Sequence, residues 1–183
     1  FHRYNSIPDQ AALFGAWVKD YASRPLWVYS RHGDARMRGN EPLVVSEFGN
    51  WGLPLLPAKR PWWFSRGFPG RNHEITVPEG VEDRFRQWKL DESFGDYAKL
   101  AEATQWHEWL SLKYEIEVMR AEQAIEGYVI TEFTDLNWEA NGVLDMWRRP
   151  KSYAPQLARL QQDDLLIART ERRNLTVGDK GQA

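Results

Sequence analysis

The stretch Pro42-Leu43-Val44-Val45-Ser46-Glu47-Phe48-Gly49 is a short, continuously apolar run that ends in a carboxylate and a glycine. Continuous rather than alternating apolarity is typical of a strand covered on both faces, as in parallel sheets. A second run of this kind, residues 125–133, is rich in β-branched and aromatic residues, and Glu132 stands near its end. The sequence therefore predicts two buried parallel strands, each followed by a loop.

Helical patterns alternate with these strands. After an extended segment at residues 1–4, the apolar spacing predicts helices over about 9–23, 79–88, 96–120 and 152–171. Along the longest helix, the apolar positions Leu100, Ala103, Trp106 and Leu110 predict the buried face. Alternating strands and helices indicate a parallel sheet with right-handed crossovers.

The predicted fold class is α/β, a partial (β/α)8 TIM barrel. Only two to three strand–helix units are present, whereas a complete barrel takes about 250 residues. We therefore expect residues 1–172 to be the C-terminal portion of a barrel domain. The polar residues 173–183 would be a tail or the start of a following domain. The opening Phe-His-Arg-Tyr, without Met, favours a fragment of a longer protein.

The composition argues against several classes of partner. The chain has 24 basic and 26 acidic residues and a net charge of −2, so no basic surplus exists to neutralise nucleic-acid phosphates. Cysteine is absent, which excludes disulfides and thiolate metal sites. No apolar run approaches the roughly 18 residues that a membrane span requires. The four histidines show no metal-ligand spacing, and we predict neither a metal nor another cofactor.

Carboxylates and tryptophans indicate where chemistry would occur. In a barrel the C-terminal ends of the strands face the active site, and Glu47 and Glu132 occupy that position. Glycoside hydrolysis uses two carboxyl groups, and tryptophan faces stack on sugar rings. The chain has ten tryptophans, and Trp51 and Trp138 lie in loops that follow strands. The alternative for each carboxylate is a buried acid that arginine or backbone donors satisfy.

Three segments resemble glycoside hydrolase family 2, the group of β-galactosidases, β-glucuronidases and β-mannosidases. Residues 42–49 resemble the seventh barrel strand of that family, and residues 127–135 are similar to its eighth strand. The segments 137–145 and 149–151 resemble the loop that leads to the last helix. Phe1-His2-Arg3-Tyr4 resembles the end of the sixth strand.

This resemblance implies a retaining β-glycosidase in which Glu47 is the catalytic nucleophile. It places the acid/base glutamate upstream of Phe1, outside this chain. Trp51 or Trp138 would supply the sugar platform, because Thr131 stands where the family often carries tryptophan. The predicted substrate-binding residues are His2, Tyr4, Trp51, Glu132, Asn137 and Trp138.

Several alternatives stay open at this point. His2 could be a structural histidine, and Glu132 could itself partner Glu47, since adjacent strand ends lie about 4.8 Å apart. The alternatives for the protein are a non-catalytic carbohydrate-binding barrel, an inactive fragment, or an unrelated barrel enzyme with Glu47 as a proton-abstracting base. The expected partners are a β-glycoside and the rest of the same barrel chain. Expressed alone, the chain would have unpaired strand edges and is expected to aggregate.

Overall fold

The structure of the chain is a computed structural model, and it describes residues 1–29, 37–57, 59, 78, 80–136 and 139–169. The predictions made for Asn137, Trp138 and the tail at 173–183 lie outside the described residues.

In the part of the chain that the structure describes, three short strands form one parallel sheet. They are β1 (His2–Arg3), β2 (Leu43–Phe48) and β3 (Ile125–Ile130), in the order β1-β2-β3. The register pairs His2 with Glu47 and Phe48 with Ile130. The α/β class and the parallel pairing are thus confirmed. The three strands make a small open sheet, and the described residues do not form a closed barrel.

Within the described residues, five α-helices accompany the sheet: α1 (Ala11–Ala22), α2 (Val81–Gln87), α3 (Asp91–Phe94), α4 (Tyr97–Arg120) and α5 (Ala154–Leu160). A 3-10 turn follows α1 at Leu26–Val28. The start of α4 has a local cause, because the Asp96 carboxylate accepts a hydrogen bond of 2.9 Å from the Lys99 amide. None of the described helices combines the length and apolarity needed to cross a lipid bilayer.

Helix α5 ends at Leu160, well before the predicted residue 171. The guanidinium of Arg120, at the end of α4, donates hydrogen bonds to the carbonyls of Leu160, Gln162 and Asp163. These bonds satisfy carbonyls that the helix leaves free where it ends. The prediction of a longer helix is wrong for residues 161–169, which are not helical.

The hydrophobic core lies between one face of the sheet and the helices α1 and α4. Phe14 and Val18 of α1, Val45 and Phe48 of β2, and Ile116 of α4 are all fully buried. On the other face of the sheet, Val44 is 39% and Val129 is 51% exposed. The expectation that both faces are covered is therefore wrong for the part of the chain that the structure describes.

Helix α4 buries a different stripe from the one that its apolar residues predict. Leu100 is buried, but Trp106 and Leu110 are exposed. The buried stripe combines the apolar Leu112, Ile116 and Met119 with polar side chains, namely Gln105, Glu108, Ser111 and Glu115. Each of these polar side chains has a polar partner on another segment.

Candidate active site

Glu47 lies at the C-terminal end of β2, next to two side chains from the first residues of the chain. Its Oε2 atom is 2.7 Å from Nδ1 of His2 and 3.2 Å from the hydroxyl of Tyr4, which donates to it. The Glu47 side chain keeps 36% of its surface exposed. Neither contact is an arginine, so the structure gives Glu47 a polar, solvent-accessible setting rather than a buried ion pair.

Backbone pairing brings these residues together. The parallel register sets His2 opposite Glu47. The carbonyl of Phe1 accepts hydrogen bonds from the amides of Ser46 (3.0 Å) and Glu47 (3.4 Å). Because the C-terminal ends of neighbouring parallel strands meet at one edge of a sheet, residues that are far apart in sequence share one site here.

Tyr4 also contacts the aromatic residue that follows the strand. Its ring centroid lies 6.0 Å from that of Trp51, with the two planes tilted by 32°. Burial, and then the negative charge of Glu47, raise the pKa of Tyr4, which keeps its hydroxyl proton available for donation. Trp51 is 48% exposed. It therefore offers a flat, accessible apolar surface beside Glu47.

Glu132 follows β3 at the same edge of the sheet. Burial raises its pKa most, and the carboxylates of Glu139, Asp135 and Glu47 raise it further. Its Oε1 atom is buried and has no hydrogen-bond partner among the described residues. An unpaired buried carboxylate oxygen is costly, so this position suits either a proton or a hydroxyl donor from a ligand. Asn137 and Trp138, predicted beside it, fall outside the described residues.

Glu139 also acts electrostatically on this edge, and the sequence did not single it out. Its negative charge adds to burial in raising the pKa of Glu132 and, more weakly, that of Tyr4. Its backbone amide and carbonyl form hydrogen bonds with those of Leu136 in the loop after β3. In sequence Glu139 looks like any acid of a polar loop.

The ends of β2 and β3 approach each other very closely. The Thr131 amide donates a 2.8 Å hydrogen bond to the Phe48 carbonyl. A β-carbon at Gly49 would fall far inside the contact distance of the Thr131 carbonyl oxygen. Glycine is therefore required there, and its absent side chain is what lets the strand ends carrying Glu47 and Glu132 come together.

Two cavities occur on another part of the molecule. One, of about 440 Å³, lies between α1 and α4 and is lined by Lys19, Tyr114 and Glu122 among others. The other, of about 520 Å³, lies beside it at the end of α4. Neither is lined by Glu47.

The sequence matches no protein-family model, and no curated protein matches it. Among solved structures, the chain is similar to two crystal structures of β-glucuronidase from Ruminococcus gnavus. Both are 14% identical to it in sequence, with TM-scores of 0.49 and 0.46. Each match covers 87% of this chain and 22% of the other, so the chain spans about a fifth of the length of those proteins.

Proposed function

We propose that this chain is the last part of a (β/α)8 barrel that hydrolyses β-glycosides with retention of configuration. In this proposal Glu47 is the nucleophile, and the acid/base carboxyl group comes from a part of the protein outside this chain. The substrate is a carbohydrate, and no metal or other cofactor takes part.

The observation that carries the proposal is that two side chains contact one oxygen of the Glu47 carboxylate. Tyr4 donates a hydrogen bond to Oε2 of Glu47, and Nδ1 of His2 lies 2.7 Å from the same atom. These contacts orient the carboxylate, as a nucleophile requires. Oε1 is not taken up by either contact, and the side chain is partly exposed, so an incoming sugar could reach it.

The reaction then follows two balanced steps. The Glu47 carboxylate attacks the anomeric carbon and forms a glycosyl ester, while the bond to the leaving-group oxygen breaks and a second carboxyl group protonates that oxygen. Water, deprotonated by the same second carboxyl group, attacks the ester and releases Glu47 and the free sugar. In retaining enzymes the two carboxyl groups stand about 5–5.5 Å apart.

The other residues at this edge would bind the sugar. Trp51 offers an exposed ring for stacking, and the unpaired Oε1 of Glu132 would accept a hydrogen bond from a sugar hydroxyl. Under this proposal, Asn137 and Trp138 contact the sugar or the leaving group.

The rest of the same barrel is the proposed protein partner of the sheet. Val44 and Val129 are exposed on the face that would line a barrel interior. In closed barrels inward-facing side chains pack against those of the remaining strands. The apolar composition of β2 and β3 is then explained by strands that lie outside this chain.

Chemical rescue tests the assignment of Glu47 in the complete protein. In Glu47→Ala, turnover of an aryl β-glycoside should fall by about 10³-fold or more. Added azide should then restore release of the aryl group and give an α-glycosyl azide, since azide attacks from the side that the carboxylate left. Glu126→Gln, on the exposed and distant part of β3, is the matched control and should be as active as the wild type.

Undiminished hydrolysis by Glu47→Ala, or a product of inverted configuration from the wild type, would contradict the proposal. A wild-type protein that binds the sugar but never cleaves it would favour the carbohydrate-binding alternative.

A further inference from the structure

A lysine with no exposed side-chain surface lies beneath the candidate site. Nζ of Lys151 is 2.8 Å from the Gly52 carbonyl and 3.0 Å from the Ala140 carbonyl. It is also 3.1 Å from Oε2 of Glu108 and 3.0 Å from Oδ1 of Asp135. Lysine is almost never buried without such partners, so each contact needs a structural reason.

The two carbonyls belong to the two loops that form the site. Gly52 directly follows Trp51 in the loop after β2, and Ala140 directly follows Glu139 in the loop after β3. The amide of Gly52 donates a 2.8 Å hydrogen bond to the Ala140 carbonyl, the same oxygen that Lys151 contacts. One ammonium group therefore joins both loops at the point where they already touch.

The two acidic partners of Lys151 connect the contact between these loops to the rest of the fold. Glu108 lies on α4, and Asp135 accepts a 2.8 Å hydrogen bond from the Gly142 amide within the loop after β3. A side chain at position 52 would collide with Glu108 and Gln105, so glycine is needed for this close approach. The lysine thus anchors two loops to a long, buried helix.

Burial acts on both acidic partners of Lys151 in the same direction. It raises the pKa of Glu108 to about 8, even though Lys151 lowers it. Burial also raises the pKa of Asp135, and Lys151 again opposes the change. The contacts with Lys151 therefore offset part of the cost of burying these two carboxyl groups.

We propose that Lys151 is a positioning residue of the candidate active site: by bonding the Gly52 and Ala140 carbonyls it holds Trp51 in place for sugar stacking. Lys151 does not touch the sugar in this proposal and acts through Trp51. The inference rests on the proposed glycosidase function for its catalytic consequence, while the loop contact itself can be tested without any sugar.

Hydrogen–deuterium exchange of the Gly52 amide tests the loop contact in the complete protein. In Lys151→Met this amide should exchange about tenfold faster or more, because it loses the neighbouring bonds that keep the loop closed. Met119→Ala, a buried change near the far end of α4, is the control for a general loss of stability and should leave Gly52 protected relative to the rest of the fold. If Lys151→Met does not fold, Lys151→Gln, one bond shorter and uncharged, is measured instead. Unchanged protection of Gly52 in the folded variant would overturn the proposal.

A double-mutant cycle with Trp51 tests the catalytic consequence. Lys151→Met should raise KM for an aryl β-glycoside by up to about tenfold, and by no more than Trp51→Ala does, with a smaller change in kcat. In the Trp51→Ala background the same substitution should change KM little, because the residue through which it acts is gone. A merely structural role would give the same fold-change in both backgrounds, and that result would overturn the positioning role.

The two measurements separate this inference from the proposed function. If the wild-type protein cleaves no glycoside, the proposed function and the positioning role both fail, whatever the exchange of Gly52 shows. If hydrolysis depends on Glu47 but Gly52 exchange or the KM coupling does not respond to Lys151, only the present inference fails.

Discussion

Asn50 donates a hydrogen bond of 3.1 Å from its side-chain amide to Oε1 of Glu115, which lies fully buried on α4. Asn50 stands three positions after Glu47, so this bond attaches the end of β2 to the core. The other oxygen of Glu115 has no hydrogen-bond partner among the described residues. Burial raises the pKa of Glu115 to about 8, and the Asn50 bond only partly opposes this.

Stability should therefore fall as the pH rises through the range set by Glu115. Between its ordinary value of 4.5 and about 8, the folded protein holds a proton that the unfolded chain has released. The free energy of unfolding then decreases with pH, by up to about 1.4 kcal/mol per pH unit for one proton. Glu115→Gln, which is neutral at every pH, should flatten this slope in denaturant unfolding measured from pH 5 to 9. Part of the pH slope should remain in Glu115→Gln, because burial also raises the pKa of Glu108 to about 8. Equal slopes for both proteins would contradict the raised pKa of Glu115.

Tyr4→Phe should lower kcat while leaving KM nearly unchanged. The substitution removes only the hydroxyl that donates to Glu47, and a hydrogen bond to a charged group contributes about 1.5–3 kcal/mol. Steady-state kinetics on an aryl β-glycoside should show a loss of about 10- to 150-fold in kcat. Tyr97→Phe, whose hydroxyl bonds the Pro54 carbonyl instead, is the matched control. An unchanged kcat in Tyr4→Phe would show that the Tyr4 hydroxyl has no role in the reaction.

Trp51→Ala should weaken sugar binding without destabilising the fold. The ring is 48% exposed, so little buried surface is lost, whereas a stacked aromatic pair is worth about 0.5–1.5 kcal/mol beyond its area. We expect the dissociation constant of a bound sugar to rise by about threefold to tenfold or more in calorimetry. Trp88→Ala removes another tryptophan that is 62% exposed and should bind the sugar normally. Equal losses in both variants would argue against a specific role of Trp51.

Replacing Gly49 and Gly127 by alanine should have different effects on the free energy of unfolding. Gly49→Ala places a β-carbon against the Thr131 carbonyl and should cost at least about 3 kcal/mol of unfolding free energy. At Gly127 the nearest atom to an added β-carbon is a methyl group of Val44 at 3.5 Å, which is ordinary contact. Gly127→Ala should be neutral or stabilising by up to about 1 kcal/mol. Denaturant unfolding of both variants checks this, and a tolerated Gly49→Ala would mean that the strand ends can move apart.

The sequence alone determined the features that depend on neighbouring residues. Strands at residues 43–48 and 125–130, the alternation of strands with helices and the Asp96 cap of α4 all follow from local patterns. The parallel sheet follows from them too, since its strands are separated by helical segments. That Glu47 lies beside His2 and Tyr4 was expected only from the resemblance of residues 1–4 to the end of a sixth barrel strand, and the strand register brings these residues together.

The tertiary structure alone decided which polar groups are buried and what they contact. Lys151 reads in sequence as a surface cation, yet its partner Gly52 stands 99 positions away. The buried polar side chains of α4 have the same origin. A polar group is buried only where partners from distant segments offset the loss of its hydration, and local sequence does not contain those partners.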